Sequence, residues 1–178
     1  MARRVSLSGE HLGLGEIAAH HQDLESSLTL YFSDISPDYQ VRFFGYAPQG
    51  VRDELGERLD EVDLASSLTA LAAVEAAFRV DYLERCYKRK KDPVSRALRA
   101  VYQHKQDHAS LEEEIFEVWA NNSSGARKII SDLRGAFRFR HWLAHGRYLT
   151  PKLGRPYDFD DVFVPADQAL RSFPFYGG

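Results

Sequence analysis

Arg140-His141-Trp142-Leu143-Ala144-His145-Gly146-Arg147-Tyr148 gathers two arginines, two histidines and two aromatic residues in one short stretch. No other part of the sequence concentrates so much potential proton-transfer chemistry. Histidine exchanges protons near neutral pH. Arginine presents a planar fork that matches phosphate oxygens and does not lose its charge. Together these groups suit cleavage of RNA through the neighbouring 2′-hydroxyl. One group accepts the 2′-OH proton, one protonates the leaving 5′-oxygen, and a cation stabilises the charged phosphorane. The scheme requires no metal and no cofactor.

These residues fall in a helical pattern running from about Ala126 to His145, which Gly146 and Pro151 end. Ala126, Ile130, Leu133, Phe137, Arg140 and Ala144 advance by fours and threes, so Arg140 lies on the apolar, inward stripe. Arg134, Arg138, His141 and His145 form a second, basic stripe. At about 100° per residue, His141 and His145 are separated by only about 40° of azimuth and point into one region. Arg134, Arg138 and Arg147 are candidate phosphate contacts, and Trp142 or Tyr148 could stack on bases. A second long pattern carries Leu64, Leu68, Leu71, Glu75, Phe78 and Tyr82 on one stripe, with a carboxylate in its middle. A charge there needs a partner, so Glu75 is expected beside Arg140 or another arginine of the site helix.

The segment Arg140–His145, continuing Gly146-Arg147-Tyr148, resembles the R-x4–6-H signature of HEPN-domain proteins, with His141 at the position where that family carries a polar residue. Val74–Cys86 resembles the family's earlier long helix, and the resemblance spans about residues 64–148. It implies a helical bundle that dimerises so that both motifs face one cleft. It also implies metal-independent endoribonuclease activity, often in toxin–antitoxin or phage-defence systems with a regulatory protein partner. By matching positions, Arg140 and His145 would be catalytic and His141 supporting.

Around these patterns the chain reads as one all-α domain of about five helices. Residues 1–50 supply a first helix, Gly15–Phe32, and an extended connection, Tyr39–Tyr46, packing its aromatics on the core. Residues 51–150 form the HEPN-like helical core. It begins with a helix from about Arg52 to Lys90, with a break near Asp63 left open. A helix capped by Asp92-Pro93 follows, then a short one capped by Ser110 and Glu113, then the site helix. Residues 151–178 read as an irregular tail with at most a short helix over Ala166–Phe173.

The 178 residues carry a net charge of −3, which excludes a uniformly cationic nucleic-acid binder and places any such surface in local charge. Residues 53–63 hold six acids against one arginine, residues 85–99 seven bases against one acid, and residues 127–147 six bases against one acid. The two basic segments could form one positive face or two solvated helix surfaces. Cys86 is the only cysteine, so no intrachain disulfide forms and a reducing cytoplasm is the simplest home. No apolar run is long enough for a membrane span.

Several plainer readings compete. Glu75 and Arg140 could neutralise each other as a structural pair, and His145 could merely complement the helix dipole. His141/His145 and His104/His108 have metal-ligand spacing, but neither has an evident third ligand. His11, His20 and His21 are expected to face solvent, and Cys86 lacks a base partner. The rival functional class is a non-catalytic module binding RNA, a nucleotide or a protein, and an effector silenced by a partner is a third.

Overall fold

The computed structural model describes residues 5–7, 9–10, 12–148, 150 and 157–176. It is all-α: among the described residues there are seven α-helices and no strand. The helices are α1 (Leu14–Tyr31), α2 (Tyr39–Arg42), α3 (Pro48–Tyr87), α4 (Pro93–Lys105), α5 (Phe116–Asn122), α6 (Ala126–Ala144) and α7 (Phe159–Ser172). A 3₁₀ turn (Gln106–His108) and a π turn (Leu111–Ile115) join α4 to α5.

The 40 residues of α3 make an unbroken rod of about 60 Å, the axis on which α1, α4, α6 and α7 pack. No break occurs at Asp63, whose segment remains helical. Around the second half of α3 lies the main core, in which Phe78, Phe116, Trp119, Leu71 and Leu133 are fully buried. Helix termini follow local chemistry. Asp92 accepts a hydrogen bond from the Ser95 amide at 3.0 Å, with Pro93 in the first turn. Ser110 Oγ accepts from the Glu113 amide, but Glu114 rather than Glu113 returns the bond to the Ser110 amide, at 2.6 Å. The wider π turn shifts the reciprocating carboxylate one residue along.

Two segments differ from expectation. Tyr39–Tyr46 is not extended. Tyr39–Arg42 is a helical turn that satisfies its amides locally, through Arg42 N to Asp38 O and Phe43 N to Tyr39 O, both 2.9 Å. With no strand to pair with, local bonding is the available way to satisfy the backbone. Phe43 does pack inward, on Phe32 and Val51, whereas Phe44 is exposed.

The tail is the second correction. Residues 159–172 form α7, capped by Asp158 Oδ1 on the Asp161 amide at 2.8 Å, and α7 packs on both α3 and α6. Phe159, Val162, Ala166 and Ala169 are its buried stripe. Pro165 lies inside the helix and makes the segment look broken. Burial of the four apolar residues outweighs the missing hydrogen bond. Leu149 and residues 151–156, Pro151 among them, lie outside the described residues.

Candidate active site

Helix α6 runs antiparallel to α3, as two cross-links show: Arg140 pairs with Glu75, and Arg147, three residues past the end of α6, pairs with Glu61 further back on α3. Its end is a complete Schellman motif. Gly146 N donates to Leu143 O and Arg147 N to Trp142 O, with Gly146 at φ +79°. This fixes the backbone beneath His145, the C-cap residue.

His141 and His145 are both exposed and converge, with ring centroids 4.2 Å apart and planes inclined by 58°. Arg140 is half-buried, and its Nη2 lies 2.9 Å from Glu75 Oε2. The other carboxylate oxygen, Oε1, accepts from Arg79 Nε at 2.7 Å, and Arg79 Nη1 in turn donates to the Ala109 carbonyl at 3.1 Å. Glu75 is therefore held between two arginines, one of them anchored to the backbone at Ala109, just past the 3₁₀ turn. Arg140 Nε is buried without a hydrogen-bond partner, and the guanidinium carbon lies 5.8 Å from the Phe137 ring centre. The carboxylate on the core stripe thus has Arg140 as its partner.

The other candidate contacts are less free than their sequence spacing suggests. Arg134 Nη2 donates to Glu117 at 2.9 Å and to the Glu112 carbonyl at 3.0 Å. Arg147 is gripped by both carboxylate oxygens of Glu61, at 2.6 and 3.2 Å, which raises its pKa further. Arg138 is exposed and in no ion pair among the described residues; Tyr148 is 79% exposed. Arg138 borders a cleft of about 660 Å³ between α6 and α7, but Asp132, Asp158, Asp160 and Asp161 line it too, so phosphate is not its natural occupant.

The remaining histidines divide. His20, His104 and His108 are exposed, and His11 lies outside the described residues. His21 corrects the reading that it faces solvent: it is only 8% exposed. Leu14, Ile17 and His21 form the buried face of α1 at spacings of three and four, so the helical arithmetic applied to α6 would have found it. The His21 ring stacks on Phe159 at 4.1 Å, Nδ1 meets Ser66 Oγ at 3.1 Å, and Nε2 faces Glu25 and Asp63.

Arg85, counted above within a basic run, is likewise buried. Its Nε donates to both oxygens of buried Asp81 at 2.8 and 2.7 Å, and Nη2 donates to the Pro174 carbonyl at 2.6 Å. Burial raises the Asp81 carboxyl, against the Tyr176 amide and Arg85, which lower it. Cys86 is buried beside this network. No helix among the described residues is long and apolar enough to cross a membrane.

No family model matches the chain, and neither a curated protein nor a solved structure is similar to it by the same comparisons.

Proposed function

We propose that the chain is a metal-independent endoribonuclease of the HEPN type that works as a homodimer. The observation that carries this is the end of α6, where two exposed imidazoles meet, one of them next in sequence to an arginine clamped by Glu75. In the reaction a histidine removes the 2′-OH proton and the O2′–P bond forms. The P–O5′ bond then breaks as a second imidazole protonates O5′. The products are a 2′,3′-cyclic phosphate and a 5′-hydroxyl. His145 is the main proton carrier, His141 orients or assists it, and Arg140 stabilises the phosphorane. In-line displacement puts the attacking and leaving oxygens on opposite sides of phosphorus. Two rings 4.2 Å apart on one helix approach from one side, so a second copy would supply the other. This geometry favours the dimer.

One observation favours the rival reading, a non-catalytic module for RNA, a nucleotide or a protein: Glu117, Glu61 and Glu75 already engage Arg134, Arg147 and one edge of Arg140. Incubation of the purified protein with total RNA in EDTA separates the two. Cleavage leaving cyclic phosphate ends is expected, with a loss of roughly 10²- to 10⁴-fold in His145→Ala and in Arg140→Ala. Full activity in folded His145→Ala overturns the nuclease, and RNA binding without cleavage favours the module.

A further inference from the structure

We infer that His21, Glu25 and Asp63 form a binding site for a divalent transition metal ion of the zinc class. His21 and Glu25 stand on one face of α1 at i,i+4, and Asp63 faces them from α3. One ligand atom from each residue lies within 4.8 Å of the others. His21 Nε2 is 3.5 Å from Glu25 Oε2 and 3.5 Å from Asp63 Oδ1, and it makes no hydrogen bond to either.

That distance separates the two explanations of the cluster. An imidazolium bridging two carboxylates would draw them in to about 2.7–2.9 Å, the length of a charge-assisted hydrogen bond. Zinc–nitrogen and zinc–oxygen bonds of about 2.0–2.2 Å meeting at a tetrahedral angle instead put their ligand atoms about 3.3–3.6 Å apart. Both spacings from His21 are those of ligands around a shared ion, with the two carboxylate oxygens within 4.8 Å of each other.

The surroundings fit the same role. Ser66 Oγ, 3.1 Å from Nδ1, and the Phe159 ring, 4.1 Å from the imidazole, hold the buried ring with Nε2 turned to the carboxylates. A ligating histidine is normally oriented through its other nitrogen in this way. The open side faces a cleft of about 350 Å³ that Asp158 and Asp160 also line, so the fourth position falls to water or to one of those carboxylates. Three protein ligands and one open position are the donor arrangement of many zinc sites. Because α1, α3 and the start of α7 all border the site, the ion would tie them together.

The site is independent of the proposed nuclease. Asp63 and Glu61, the partner of Arg147, are two residues apart on α3 and so point about 200° apart. RNA cleavage in EDTA tests the one and metal uptake the other.

The test is titration of the full chain with Zn²⁺ alone by calorimetry, and with Co²⁺ by visible absorption. One equivalent is expected to bind, with intense Co²⁺ d–d bands and a thermal midpoint that climbs with Zn²⁺ concentration. Glu25 and Asp63 are partly exposed, so Glu25→Gln and Asp63→Asn test the site without removing the buried imidazole. Each should weaken Zn²⁺ binding by roughly tenfold or more, while His141→Ala and His145→Ala leave it unchanged. Absence of Zn²⁺ uptake by the folded chain overturns the site. Equal affinity in both carboxamide variants does so too, as does binding lost only with His141 or His145.

Discussion

Glu75 is the residue on which the catalytic reading depends most closely. A carboxylate on a helix stripe beside buried Leu71, Phe78 and Tyr82 needs a cation, and this one holds two. Arg79 ties it to the Ala109 carbonyl, leaving Oε2 to set the position of Arg140. If the pair were only structural, Glu75→Gln would change stability and little else. As a positioning residue it should lower kcat for RNA cleavage by roughly ten- to a hundredfold, the cost of a displaced catalytic group, with KM almost unchanged. Equal losses in kcat and in folded fraction would reduce Glu75 to a core neutraliser. Cys86 gives a second test at this scale. Burial pushes its thiol up to about 12, against a lowering influence from Arg99. At pH 8 the folded chain should react slowly with iodoacetamide and the denatured chain fast. Because the folded pKa is the higher one, the unfolded chain ionises first as pH rises, and stability should fall above about pH 8.5. Prompt labelling of the folded chain would show that the end of α3 opens.

At the scale of elements, what was legible in the sequence followed from local chemistry. Asp92-Pro93, Ser110 and Gly146 each mark a terminus through bonds to residues within five positions, and each terminus is where those residues put it. The pairing of Glu75 with Arg140 was legible because periodicity puts both on inward faces. What was hidden depends on distant partners. Arg85 reads as one more base in a basic run, and only the Pro174 carbonyl, far along the chain, shows that it is interior. The stack of Phe159 on His21 was hidden in the same way, although the spacing of Leu14, Ile17 and His21 already marks an inward face, and α7 is obscured by Pro165. Asp92 links the two kinds of information, capping α4 while accepting from Arg85 at 3.0 Å. Burial alone would raise its carboxyl, but two hydrogen bonds from Ser95 and the Arg85 charge outweigh it, holding the pKa below the ordinary 3.8. A lowered carboxyl contributes stability that is present above its unfolded pKa and lost as pH falls through the folded one. Asp92→Ala should therefore cost about 1 kcal/mol at pH 7 through the lost cap. Its deficit in urea melts should shrink as the pH falls below 3.8. A deficit independent of pH would mean that the ionised form is not what Ser95 and Arg85 bind.

Across the whole molecule, antiparallel packing of α3 and α6 decides how the two basic segments relate. The α3–α4 turn lies at the Arg127 end of α6, where Pro93 and Arg127 border one cleft, and the histidines lie at the other end. Arg127 and His145 are 18 residues apart, five full turns, so they share an azimuth at a separation of about 27 Å. Arg138 lies between them on nearly the same line. Arg127 and Arg138 are exposed and in no ion pair among the described residues, unlike Arg134 and Arg147. A strand bound along this line contacts both arginines only if it reaches from one end of α6 to the other. At about 3.4 Å per stacked nucleotide that is about eight nucleotides. In a His145→Ala background, which keeps the RNA intact, an oligonucleotide of about twelve should lose about 0.7 from the slope of log K against log salt for each of Arg127→Gln and Arg138→Gln. One of about four nucleotides seated at the histidines should respond to Arg138→Gln alone. Salt slopes that are the same for both lengths, or unmoved by either substitution, would mean that RNA does not run along α6 and that the histidine pair is reached from another direction.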